Sequence, residues 1–105
     1  MITNEVKFEN FDDTVKKDFW IVDFFSETCG PCKMLSKVLE EIHIENPIVN
    51  IAKVSVTKNP ELAKKFEVTA VPVMLFVNEG EVKEKHLGAM PKPKLEEKIN
   101  KIMYE

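Results

Sequence analysis

Apolar positions along this chain fall into short continuous runs and longer stripes. From Trp20 to Phe25 every residue is apolar except Asp23. A six-residue run rich in β-formers, apolar on both alternating faces, predicts a strand buried on both sides. Just downstream, Leu35, Val38, Leu39 and Ile42 recur at helical spacing, which predicts an amphipathic helix ending near Ile44 or Glu45. Asn46-Pro47 breaks the pattern. Ile48–Val56 and Val73–Val77 predict two further buried strands. Asn78-Glu79-Gly80 predicts a hairpin turn into Val82–Leu87. Residues 2–8 alternate weakly and predict a short first strand.

Three more helices fill the gaps. Asn10, with Asp13 three residues on, marks the cap of a helix to about Lys17, with Phe11 and Val15 facing inward. Asn59-Pro60-Glu61 supplies a cap, a first-turn proline and an acidic first turn for a helix to about Phe66. Pro91-Lys92-Pro93 opens a last helix with Leu95, Ile99, Ile102 and Met103 on its apolar face. The order is β-α-β-α-β-α-β-β-α. Crossovers in the first half favour parallel strands, and the last pair is a hairpin. The fold class is therefore α/β: a single mixed sheet of about five strands with helices on both faces. Residues 1–105 form one domain in this reading, large enough for a core.

Composition narrows the function classes. With 15 basic and 18 acidic residues the net charge is −3, and both signs are scattered, so no nucleic-acid footprint is expected. The longest apolar runs are far too short to span a bilayer, so no membrane partner is expected either. The start, Met-Ile-Thr-Asn-Glu, shows neither the basic region nor the apolar run of a signal peptide, which points to a cytoplasmic protein. Small size and the lack of a spare apolar face point to a monomer.

The chemistry lies between the first buried strand and the long helix, where Cys29-Gly30-Pro31-Cys32 holds both cysteines. A helix start has unpaired N–H groups and partial positive charge, which stabilise a thiolate over a thiol. Each pKa unit gained this way is worth about 1.4 kcal/mol. Pro31 suits a first turn, since the N–H it lacks would be unpaired anyway. Gly30 lets the chain pass close to a partner. Two such cysteines read as redox-active, as structural thiols, or as half of a zinc site. Zinc needs four ligands, and the remaining candidates, His43 and His86, lie in different elements with no second Cys-x-x-Cys. Asp23 is a carboxyl in an apolar strand. Burial would raise its pKa, whereas a place at an edge or in a loop would leave it an ordinary carboxylate.

The segment Val22-Asp-Phe-Phe-Ser-Glu-Thr-Cys-Gly-Pro-Cys-Lys-Met-Leu35 resembles the active-site segment of the thioredoxin family. Ala52-Lys-Val, Asn59-Pro-Glu-Leu-Ala, Val68-Thr-Ala-Val-Pro, Asn78-Glu-Gly-Glu-Val and Leu87-Gly-Ala resemble thioredoxin segments in the same order, so the likeness spans essentially the whole chain. It implies the thioredoxin fold and a thiol–disulfide oxidoreductase that reduces cytosolic protein disulfides. Cys29 would attack a substrate disulfide, and Cys32 would resolve the mixed disulfide and close a Cys29–Cys32 bond. Asp23 would exchange a proton with Cys32, and Lys53 would accompany Asp23. Pro72 would follow a cis peptide bond. Thr28, Val71 and Gly88 would complete the substrate surface, Val71 through its backbone N–H and C=O. No cofactor and no metal are implied. The partners would be disulfide-containing proteins and a flavoprotein thioredoxin reductase. Thr28 stands where the family usually carries Trp. That departure motivates a second reading, a binding module on the same scaffold with redox incidental. A more oxidising, isomerase-like member is a third.

Overall fold

The computed structural model describes residues 1–104. Strand β1 is Ile2–Thr3, followed by helix α1 (Phe11–Thr14), β2 (Phe19–Phe25), α2 (Gly30–Glu45), β3 (Val49–Ser55), α3 (Pro60–Lys65), β4 (Val73–Asn78), β5 (Glu81–Leu87) and α4 (Lys92–Met103). The five strands form one sheet in the order β1-β3-β2-β4-β5. β2 runs parallel to β3 and antiparallel to β4, and β5 returns antiparallel to β4.

Alternation along the strands sorts the core into two halves. Phe19 and Ile21 of β2, Val49 and Ile51 of β3, and Met74 and Phe76 of β4 face α2 and α4, meeting Leu35, Leu39 and Ile42 from one helix and Leu95, Ile99 and Ile102 from the other. Trp20, Val22 and Phe24, with Ala52, Val54 and Leu75, face the other way and meet Phe11 and Leu62. Asp23 and Lys53 are opposite each other in the β2–β3 register, and both continue the α2 face.

Two expectations need correction at the N-terminus. The first strand is two residues long rather than reaching residue 8, and α1 stops at Thr14 rather than near Lys17. Local side chains take over the backbone there. Thr3 Oγ1 accepts from Glu5 N–H, Asn10 Oδ1 accepts from Lys7 N–H, and Asn10 Nδ2 donates to the Glu5 carbonyl. The chain then turns through Asp18, at φ +72°, to enter β2. Neither Asn10 nor Asn59 caps its helix with its side chain. Asn59 Nδ2 donates instead to the Ser55 carbonyl. The hairpin loop is Glu79-Gly80, both with positive φ (51° and 82°), as a two-residue turn between twisted antiparallel strands demands.

Candidate active site

Three loops meet at one end of the sheet. β2 ends at Phe25, opposite Ser55 at the end of β3, and Phe24 is opposite Val73 at the start of β4. Val73 in turn lies opposite Leu87 at the end of β5. The loop from β2 to α2, the Val71–Pro72 segment and Gly88 therefore share one edge. The Val71–Pro72 peptide bond is cis. Gly88 N–H donates to the Pro72 carbonyl at 2.8 Å. Gly88 sits at φ +100°, a conformation that favours glycine, and a side chain there would meet nothing within 4 Å. Among the described residues neither the N–H nor the C=O of Val71 has a hydrogen-bond partner.

Cys29 is the N-cap of α2, with Gly30 and Pro31 opening the helix. Its Sγ accepts a hydrogen bond from the Cys32 backbone N–H at 3.2 Å, so a free donor of the first turn points at this sulfur. The two cysteines are joined as a disulfide with Cα atoms 5.3 Å apart. Their environments differ. Cys29 is half-buried, while Cys32 is 3% exposed. Thr28, Gly30 and Pro31 are exposed around Cys29, and a side chain at Gly30 would meet nothing within 4 Å.

Behind the disulfide lies a cleft of about 270 Å³ lined by Asp23, Cys32, Ser36 and Lys53, with Glu27 and Lys33 also on its wall. Asp23 is 1% exposed and, among the described residues, its Oδ1 has no hydrogen-bond partner. Burial pushes its pKa from 3.8 up to about 7, and the Lys53 ammonium pulls partly the other way. Lys53 does not pair with Asp23 directly. Its Nζ donates to Ser36 Oγ at 2.7 Å and to Glu40 Oε1 at 2.9 Å. That contact holds the Glu40 carboxyl below its usual range.

Ser36 and Glu40 were not singled out by sequence pattern. Their signal was available: Cys32, Ser36 and Glu40 are four residues apart each time, one stripe of α2 beside the apolar one. The two histidines of the zinc alternative lie apart from the cysteines. His43 Nδ1 is 2.8 Å from the Val49 carbonyl oxygen, and His86 is on β5 opposite Met74.

A dithiol/disulfide pair at a helix mouth, backed by a buried carboxyl and set on a five-stranded mixed sheet, defines a class: a redox protein that exchanges disulfides. The thioredoxin family model matches residues 2–101. The thioredoxin of Staphylococcus saprophyticus is 42% identical over 93 residues, covering 88% of this chain and 89% of that protein. The thioredoxin of Listeria monocytogenes is 37% identical over 103 residues, covering 97% and 100%. Among solved structures, the oxidised mitochondrial thioredoxin 3 of Saccharomyces cerevisiae superposes with a TM-score of 0.85 at 33% identity, covering 95% of this chain and 94% of that one. The chain belongs to the thioredoxin family, and it is a thiol–disulfide oxidoreductase. No described helix is long and apolar enough to cross a membrane.

Proposed function

We propose that this protein reduces disulfides of cytoplasmic proteins, with Cys29 as nucleophile, Cys32 as resolving thiol and Asp23 as the group that exchanges a proton with Cys32. The Cys29 thiolate attacks one sulfur of a substrate disulfide. The other substrate sulfur leaves with the bonding pair and takes a proton. Cys32 then gives its proton to the Asp23 carboxylate and attacks Cys29 Sγ. The second substrate sulfur leaves as a thiolate, and the Cys29–Cys32 disulfide closes. Two electrons pass from the protein dithiol to the substrate. A flavoprotein thioredoxin reductase returns them, so no cofactor or metal resides on the chain.

The observation that carries this reading is the asymmetry of the pair. The accessible sulfur is the one the free Cys32 N–H addresses, and the enclosed one shares a cleft with Asp23. A carboxyl with a pKa of about 7 is well matched to a proton that must leave and return near neutral pH. Thr28, Pro72 and Gly88 frame the approach to Cys29, and Val71 offers its unpartnered backbone to an extended substrate segment. Gly30 and Pro31 leave the approach to the sulfur open. The chain acts as a single unit and as a monomer.

Reduction of insulin disulfides by a chemically reduced sample tests this. Cys29→Ser is expected to lose activity by on the order of 10⁴-fold. Cys32→Ser is expected to stall as a covalent mixed disulfide through Cys29, visible by mass. Activity surviving in Cys29→Ser would sink the assignment.

A further inference from the structure

On the stripe of α2 that carries Cys32, Ser36 lines the same cleft and Glu40, one turn further on, meets its wall at Lys53; neither does work in the reaction above. Ser36 and Glu40 both bind the Lys53 ammonium. We infer that Ser36 and Glu40 are positioning residues: they hold the Lys53 ammonium on the α2 side of the cleft, away from Asp23, and so leave the carboxyl free to take the Cys32 proton. The inference rests on the proton role given to Asp23 above.

Lys53 and Asp23 share one rung of the β2–β3 ladder and project from the same face. Neighbouring strands lie about 4.8 Å apart, so an ammonium and a carboxylate on one rung are within reach of each other. Among the described residues they nonetheless form no ion pair, and Asp23 Oδ1 is left buried without a partner. The cause is visible: the ammonium is already held by a hydroxyl at 2.7 Å and a carboxylate at 2.9 Å.

This placement is intermediate between two worse ones. An ammonium resting on Asp23 would occupy its lone pairs and make it a poorer base. With no ammonium nearby, the carboxyl would hold its proton through neutral pH and could not accept another. From α2 the titratable groups lining the cleft are Cys32 and Lys33, and from β3 there is Lys53, which carries Glu40 on its ammonium. The β2–α2 loop adds Glu27, whose carboxyl the Ser55 hydroxyl holds below its usual range. The β4 residue opposite Asp23 is Met74, which does not titrate.

The test uses the reduced full chain and two readouts. The first is the titration midpoint of the Asp23 carboxyl carbon by NMR. The second is the pH dependence of the second thiol released from 5,5′-dithiobis(2-nitrobenzoate), which reports resolution by Cys32. In the double variant Ser36→Ala, Glu40→Ala the midpoint is expected to fall by about one unit as Lys53 turns to Asp23. The acid limb of the resolution profile should move with it, and the plateau should drop about threefold. Ser36→Thr keeps a hydroxyl and should keep the native midpoint. Lys53→Met should raise the midpoint. A midpoint that stays put or rises in the double variant overturns the tether. Asp23→Asn separates the two layers: slow resolution there, together with an unmoved Asp23 midpoint in the double variant, removes only the tether. Native-rate resolution in Asp23→Asn removes the proton role itself.

Discussion

Trp20, Val22 and Phe24 form an unbroken apolar row on one face of β2, while on the other face Phe19 and Ile21 give way to Asp23. β3 repeats the contrast, with Ala52 and Val54 on the first face and Ile51 followed by Lys53 on the second. The switch from apolar to polar occurs on one face only, and at the end of the strands that leads into the Cys29 loop. On the face toward α1 and α3, β2 stays apolar from Trp20 to Phe24 and β3 from Ala52 to Val54. The face toward α2 and α4 is a core for half its length and the wall of a polar cleft for the rest. The neighbours Asp23 and Phe24, both almost fully buried, should therefore affect stability in opposite directions.

Phe24→Ala tests the apolar side. Phe24 is 0% exposed and its ring lies 6.1 Å from that of Phe66. Truncating a fully buried aromatic residue costs about 3–5 kcal/mol, measured by denaturant unfolding of the oxidised protein. A loss under about 1 kcal/mol would mean that this face is loosely packed. Asp23→Asn tests the polar side, and its effect depends on pH. Folding raises this carboxyl from 3.8 to about 7. Between those values the native state holds a proton that the unfolded chain has released, so native stability falls as pH climbs. Across that window the variant should gain on the parent by up to about 4 kcal/mol, with the difference flat below about pH 3 and above about pH 8. A difference that is flat throughout would show that the carboxyl titrates as though in water.

Much of this was readable in the chain. Apolar-rich runs gave β2, β3 and β4 to within a residue or so, because burial on both faces leaves few polar positions. The helical stripe of Leu35, Leu39 and Ile42 marked α2 for a similar reason. The cysteines and Asp23 stood out because each violates its surroundings: a reactive pair at a strand–helix junction, and a charge within an apolar run. What failed was short and polar. β1 and α1 came out shorter than their patterns suggested, since Thr3 and Asn10 bind nearby backbone, and such local bonds leave no periodicity to read. Ser36 and Glu40 were missed because a serine and a glutamate on a helix surface look like solvated residues until the fold brings Lys53 to them.

Gly88→Ala examines the rim where the two faces end. The added methyl would meet nothing, so its cost is that of holding φ +100° with a side chain. That is about 1–2 kcal/mol. The expected result is a modest loss of stability and a shift of the Gly88 amide signal, whose N–H bonds to the Pro72 carbonyl. A neutral outcome would show that this loop relaxes to another conformation.

The smallest effect is expected where the polar contacts are most numerous. Glu40 is 50% exposed and Lys53 19%, so their ion pair lies against solvent and is screened. Exposed pairs are typically worth about 0.2–1 kcal/mol, and Glu40→Gln keeps a hydrogen-bond acceptor for Lys53. Its unfolding free energy should fall by less than about 1 kcal/mol, far less than that of Phe24→Ala. The comparison between the faces predicts this order, because the charged contacts on the cleft side lie against solvent while the apolar side carries the stability. If Glu40→Gln cost as much as a core truncation, the Lys53 contacts would be a structural strut. The cleft would then be part of the scaffold, and Asp23 alone would remain as the polar group placed there for chemistry.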